Sequence, residues 1–255
     1  MMNLIDSHCH LDFDAFDEDR ENILSECASS GIQQIIVPGV TVSQWPKLIK
    51  TCDHYPALRL ALGLHPMFMA EHKPDHIDQL RTALTKNKAI AVGEIGLDFF
   101  VADADKEAQT ELFKKQLKLA ADFNLPVILH VRKAHDDVLK LLREIKVSGG
   151  IVHAFNGSLQ QAEHYQKLGF LFGVGGALTY PRANKLKTLF SQLPEEYIVL
   201  ETDAPDMPLA GYQGERNTPE RIPIILSTLA ELRSVSEASL AAATTANCQR
   251  VFHLV

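Results

Sequence analysis

The 255-residue sequence is poor in cysteine: Cys9, Cys27, Cys52 and Cys248 are widely spaced, with no CxxC pair and no small frame to staple. A disulfide-built secreted scaffold is excluded by that spacing, and reduced thiols in a cytoplasmic protein are the expectation. No apolar run approaches the ~20 residues that a membrane-spanning helix needs. The first dozen residues lack a basic segment followed by an apolar one, so no signal peptide is expected. Positive charge is in deficit, with 25 Lys and Arg against 32 Asp and Glu and a net charge of −7. A broad basic surface that grips nucleic acid through counterion release is thereby excluded, and any anionic substrate must be held locally. Also missing are GxGxxG and GxxxxGK[ST], so dinucleotide and P-loop nucleotide sites have no support. Gly173, Gly175 and Gly176 follow a strand at the wrong spacing and read as a tight turn or a close backbone approach. Glycine and proline are scattered, which leaves no linker, and a single domain over residues 1–255 is expected.

What is present is alternation. Short β-branched runs at Asn3–Ser7, Gln34–Pro38, Arg59–Gly63, Ile90–Ile95, Val127–His130, Gly150–His153, Phe170–Gly173 and Ile198–Glu201 predict eight strands. Between and after them, segments of helical period predict helices near Asp17–Ser30, Ser43–Tyr55, Pro74–Lys86, Asp105–Phe123, Ala134–Lys146, Ser158–Leu168, Ala183–Gln192, Pro219–Arg233 and Ser236–Phe252. The size and repetition match one closed (β/α)8 TIM barrel better than an open doubly wound sheet. Alternation alone does not show closure.

The residues able to bind metal collect at the carboxyl ends of the predicted strands, the face on which barrel active sites assemble. His8 and His10 in Ile5-Asp6-Ser7-His8-Cys9-His10 share one side of an extended chain and are able to reach one ion. Asp6 reads as their hydrogen-bonding support. Glu94, between Gly93 and Gly96 in Val92-Gly93-Glu94-Ile95-Gly96-Leu97-Asp98, is suited to bridge two ions; capping a turn or pairing with a base is the plainer role. Asp98 reads as a loop or helix-capping residue, with metal ligation as the alternative. His130 and His153 end two consecutive strands and suggest a second imidazole-rich site. Asp203, in Glu201-Thr202-Asp203-Ala204-Pro205, is placed to join His8 and His10 and to orient a water or take its proton. Glu201 faces the same way from deeper in the barrel, either as a buried acid with a partner or as a participant in proton transfer. His65 reads as a substrate-facing donor or a turn residue, and Arg132 as a phosphate contact or a surface side chain. The loop around Arg216 and Asn217 reads as exposed and polar. The histidines in or beside helices, His135 among them, receive no role.

Taken together, Ile5-Asp6-Ser7-His8-Cys9-His10-Leu11-Asp12, Gly63-Leu64-His65-Pro66, Gly93-Glu94-Ile95-Gly96-Leu97-Asp98 and Glu201-Thr202-Asp203-Ala204-Pro205 resemble the signatures of the TatD family of metal-dependent deoxyribonucleases, collinearly from residue 5 to about residue 250. The resemblance implies a TIM barrel with a two-metal site that hydrolyses phosphodiesters in DNA. By position it implies His8, His10 and Asp203 on one ion, His130 and His153 on the other, Glu94 between them, and His65 and Arg132 on the scissile phosphate. Asp203 and Glu94 are then the catalytic carboxylates. Val131 stands where the family often has serine, and His153-Ala154-Phe155-Asn156-Gly157 where it commonly shows His-Cys-Phe-Ser-Gly, the marks of a divergent paralogue.

The expected chemistry is hydrolysis by a metal-activated water, with zinc, manganese or magnesium as the divalent ion. DNA or another phosphodiester is the expected partner; no obligate protein partner and no membrane are expected, and a monomer is the default. The same site also suits an amide, lactone or small-ester hydrolase, which a narrow apolar pocket would favour, whereas an open groove would favour DNA. A non-catalytic barrel with closed metal coordination is the remaining reading.

Overall fold

The computed structural model describes residues 2–100 and 105–254. Eight strands alternate with helices in chain order: β1 (Leu4–Asp6), α1 (Arg20–Ser29), β2 (Ile32–Pro38), α2 (Trp45–His54), β3 (Leu58–Leu62), α3 (His76–Lys86), β4 (Ala91–Asp98), α4 (Lys106–Asp122), β5 (Val127–Arg132), α5 (His135–Glu144), β6 (Gly150–Val152), α6 (Leu159–Gln166), β7 (Phe170–Val174), α7 (Asn184–Gln192), β8 (Ile198–Leu200), α8 (Ile222–Arg233) and α9 (Glu237–Phe252). Each predicted element is present, with ends displaced by a few residues. The strands form one parallel sheet in the order β1 through β8, the (β/α)8 arrangement that the alternation suggested.

Closure, which periodicity left open, is made by hydrogen bonds across the seam between β8 and β1. Ser7 N–H donates to the Leu200 carbonyl (2.9 Å), Asp203 N–H to that of His8 (2.8 Å) and His10 N–H to that of Ala204 (2.8 Å). The buried Asp6 carboxylate ties the same seam, accepting from Thr202 N–H (3.1 Å) and Thr202 Oγ1 (2.5 Å). Burial drives the Asp6 carboxyl up to about 8 in spite of these donors.

Period-two alternation sorts the strand side chains into two populations. One residue per strand, Ile5, Ile36, Ala61, Ala91, Ile128, Ile151, Leu171 and Val199, fills the barrel interior. Their neighbours, such as Leu4, Val37, Leu129, Val152, Phe172 and Leu200, pack outward beneath the helices. Helix α9 covers the amino-terminal ends of the strands: Cys248 and Phe252 join the interior cluster, Thr245 Oγ1 donates to the Asn3 carbonyl (2.7 Å) and Asn247 Nδ2 to that of Ile198 (2.9 Å). One mouth is thus closed by packing.

The same parity aims the next inward positions at the other mouth. Two residues beyond Ile128, Ile151 and Val199 come His130, His153 and Glu201, and two beyond Ala61 and Leu171 come Gly63 and Gly173. The glycines are there because backbone or carboxylate occupies the space a side chain would need. A Cβ on Gly63 would lie 2.7 Å from the β4 backbone at Gly93 and Glu94, and one on Gly173 would overlap the Glu201 carboxylate. Gly96, at φ 147° beside His130, has its missing Cβ directed onto the His130 carbonyl oxygen. Gly96→Ala is therefore expected to destabilise the protein by about 2–3 kcal/mol, read as a lower urea midpoint at unchanged m. An unaltered midpoint would show that β4 and β5 separate here without cost.

Candidate metal centre

At the open end, the Glu94 carboxylate lies at the centre of a ring of imidazoles. Its Oε2 is 3.1 Å from His8 Nε2 and 3.5 Å from His10 Nε2. Its Oε1 is 3.1 Å from His65 Nε2 and 3.1 Å from His130 Nδ1. The β4 ladder shifts register between Val92 and Ile95, and Glu94 N–H instead donates to the Gly39 carbonyl of the neighbouring loop (2.9 Å). This irregularity aims a residue that strict alternation from Ala91 would turn outward into the barrel mouth.

Asp203 completes the first side of the ring. Its Oδ1 lies 3.5 Å from His8 Nε2 and 3.7 Å from His10 Nε2, and the two histidine nitrogens are 3.3 Å apart. Donors sharing an ion at ~2.1 Å stand roughly 3.0–3.6 Å from one another, so this spacing fits a divalent ion. Among the described residues, the buried Nδ1 atoms of His8 and His10 have no hydrogen-bond partner. The mixture of imidazole nitrogen and carboxylate oxygen suits zinc, manganese or iron. His8 and His10 lie beyond the end of β1, in the segment pinned to Ala204 and Asp203, so the seam hydrogen bonds rather than the strand ladder fix their side.

The second half departs from the expected pairing. His130 and His153 have ring centroids 6.5 Å apart and fall in different groups of mutually close donors. His130 clusters with His65 and Glu94, while His153 clusters with His8 and Glu94. The His153 ring stacks on His8 at 3.8 Å and points Nε2 at Asp203 Oδ2 (3.4 Å). His65, read as a substrate-facing donor or a turn residue, lines the cavity and also holds the turn that follows: its Nδ1 accepts from Met67 N–H (3.1 Å), which leaves the proton on Nε2 for Glu94.

Two carboxylates support the histidines from behind. Glu201 Oε1 lies 3.0 Å from His153 Nδ1 and accepts from Ala154 N–H (2.6 Å), which makes it the buried, partnered acid of the two roles considered. Asp98 corrects its assignment to a loop or cap. Oδ1 does accept from Phe100 N–H (2.9 Å) in a turn, but the residue is fully buried within β4 and its Oδ2 bonds His130 Nε2 (2.9 Å). A loop role was legible from position, whereas the imidazole partner depends on β5 lying beside β4. Asn217 is a second correction: it is buried, not exposed, and its Nδ2 donates to the Thr202 carbonyl (2.9 Å) beside Asp203. Arg216 turns away to Asp19 (2.5 Å).

Burial opposes charge at every one of these groups, yet mutual attraction outweighs it at several. Glu94 is held well below the usual carboxylate range against burial, by His65, His8, His10 and His130. Asp203 falls to about 2 against burial, through His153 foremost. His153 rises well above the usual imidazole value because Glu201 and Asp203 overcome its burial. His65 drops to about 4 because burial dominates there, and His8 falls for the same reason, aided by His153. Strained backbone accompanies the site: Lys133, Ala154 and Asp203, just beyond β5, β6 and β8, adopt φ of 52°, 44° and 58°.

Above this ring opens a cavity of about 560 Å³. His10, His65, Glu94, His130, His153 and Asp203 form its floor. On one side stands Arg132, whose guanidinium is 3.8 Å from Asp98 and lies 4.2 Å from the centroid of the exposed Phe100 ring. The part of the wall at and beyond the ends of β7 and β8 is apolar, built from Val174, Ala177, Leu186, Phe190 and Met207.

Residues 5–253 match the family described as TatD related DNase. The metal-dependent hydrolase YjjV of Escherichia coli K12 is 43% identical, with 98% of each chain aligned. The crystal structure of YjjV superposes with a TM-score of 0.96 over 99% of this chain and 98% of that one. A protein of Citrobacter rodentium named 3'-5' ssDNA/RNA exonuclease TatD is 28% identical over 98% of this chain and 97% of its own. With a family match over nearly its whole length and barrel-end carboxylates and imidazoles at ion-binding distance, this chain belongs to the TatD family of metal-dependent hydrolases.

Proposed function

We propose that the protein is a phosphodiesterase acting on DNA, working with two divalent ions that share Glu94. The observation that carries the reading is the division of labour at Glu94: one oxygen faces His8 and His10 and the other faces His65 and His130. A carboxylate with separate imidazole sets on its two oxygens is suited to bridge. His8, His10 and Asp203 would hold the first ion. His130 and His153 would hold the second. Divalent ions at such a site, when bound, supply water activation and charge neutralisation for in-line displacement at phosphorus.

The remaining steps fall to the chain's own groups. Asp203 Oδ1 and Oδ2 lie on the cavity floor, are held ionised, and would orient the attacking water and take its proton. Arg132, partly exposed on the wall, would pair with a non-bridging phosphoryl oxygen through a charge-assisted hydrogen bond. His65, with its proton on Nε2, would donate to the same group once Glu94 engages the ions. Glu201 and Asp98 would fix the rings of His153 and His130. A local cation and a floor of ligands allow an acidic protein to take a polyanion, in keeping with the nuclease name of the Citrobacter rodentium relative. The apolar wall of Val174, Ala177, Leu186, Phe190 and Met207 is the feature that favours the alternative, a small-ester, lactone or amide hydrolase on the same centre.

A time course on 5′-labelled single-stranded DNA separates the two. With manganese or magnesium, laddering from the 3′ end is expected for the wild type, and Glu94→Ala should lose more than the ~10–100-fold typical of changes to outer-shell partners. Equal inertness of wild type and variant on DNA, with ion bound to the wild type, would reject the nuclease reading and direct the assay to small esters and amides. Independently, Glu201→Gln keeps the shape but removes the charge beside His153, and is expected to weaken binding of the second ion ~10–100-fold by calorimetric titration. Unchanged affinity would remove Glu201 from that role.

A further inference from the structure

Beyond the metal floor, one hydrogen-bonded chain reaches the cavity from the shell of the barrel. The buried Tyr165 hydroxyl of α6 lies 3.2 Å from His135 Nδ1, and His135 Nε2 lies 3.3 Å from Asn156 Oδ1. The hydroxyl lies within donating distance of His135 Nδ1 (3.2 Å) and of the His135 carbonyl (3.5 Å), Nδ1 being the nearer. A neutral imidazole that accepts at Nδ1 must donate at Nε2, so Asn156 presents its oxygen to His135 and its NH2 away from it. His135 is kept neutral by burial, to which the nearby Lys185 adds. Asn156 is exposed and lines the cavity, and among the described residues its amide nitrogen makes no hydrogen bond. Lys185, exposed in the first turn of α7, donates to the Asn156 backbone carbonyl (3.4 Å). Asp136, the nearby acid, accepts from Gln161 Nε2 (2.9 Å).

We propose that Asn156 and Lys185 form a second anion subsite that binds the phosphate flanking the scissile one, with His135 and Tyr165 as positioning residues that fix the Asn156 amide with its two N–H groups toward substrate. The inference rests on the phosphodiesterase reading. Asn156 is three residues beyond His153, so the subsite lies within about 10 Å of the metal floor along the chain, the reach of a neighbouring phosphodiester unit. Asn156 follows β6, the neighbour of the β5 strand that carries Arg132, so a strand of nucleic acid crossing the cavity would meet Arg132 at the reacting phosphate and Asn156 with Lys185 at the adjoining one. Of the groups described, this pair lies apart from the ion-binding donors and makes the active site selective for a substrate with more than one phosphate.

The test measures binding to the manganese-loaded protein of thymidine 3′,5′-bisphosphate and of thymidine 5′-monophosphate, and takes the ratio of the two affinities. The wild type is expected to prefer the bisphosphate by about tenfold or more, the scale of hydrogen bonds to a charged group. Asn156→Asp, which keeps the acceptor for His135 but replaces the two N–H donors with charge, should remove that preference, and Lys185→Ala should reduce it several-fold. Tyr165→Phe should lower the ratio as well, whereas a merely structural loss would weaken both ligands together and leave it unchanged. A wild type without preference, or variants that retain it, would overturn the subsite. If single-stranded DNA is nevertheless cleaved, the subsite alone has failed; if DNA is inert too, the phosphodiesterase reading has failed with it.

Discussion

The structure turns on one buried anion. Glu94 sits almost out of reach of solvent at the top of β4, and a carboxylate there is costly unless opposite charge or hydrogen-bond donors surround it. Four imidazoles from the β1, β3 and β5 ends do so, two to each oxygen. Each of those imidazoles has a further partner: Asp203 beside His8 and His10, the Met67 backbone at His65, Asp98 at His130. Remove the anion and the convergence of positively polarised rings in a dry barrel mouth has no compensation. The same arrangement makes the centre receptive to divalent ions, which replace protons as the counter-charge.

That convergence depends on how the barrel closes. The seam bonds from Ser7, His10 and Asp203 place the β1 and β8 ends in contact, and Asp6, bonded to His8 N–H and to Thr202, keeps the two segments in register. Glycines on neighbouring strands supply the space. Gly63 lets the Glu94 backbone approach and Gly173 makes room for Glu201. Packing at the opposite end by α9 leaves the carboxyl ends of the strands as the face where polar groups gather.

The cavity above the centre has two chemical characters. Its Arg132 side, with the exposed Phe100 ring beneath the guanidinium, offers charge and an aromatic face, while the β7–α7 side is apolar. The departure Ala154-Phe155-Asn156 acquires a physical meaning in this setting: Asn156 is the position at which a shell histidine, His135, reaches the active-site mouth.

The sequence by itself determined the alternation of strands and helices, the family, and the residues that meet at the barrel mouth, because strand periodicity and ligand chemistry are local properties of the chain. His8, His10, Glu94, His130, His153 and Asp203 were all legible at strand ends; five of them line one floor, and His8 lies fully buried against Glu94. Which donor faces which was decided only by tertiary structure. The grouping of His130 with His65 instead of His153, the bond of His65 to Glu94, the grip of Asp98 on His130 and the burial of Asn217 each depend on the register and curvature with which neighbouring strands meet. Distances of 3–4 Å between residues far apart in the chain follow from closure of the sheet, and no periodicity along a single strand encodes them.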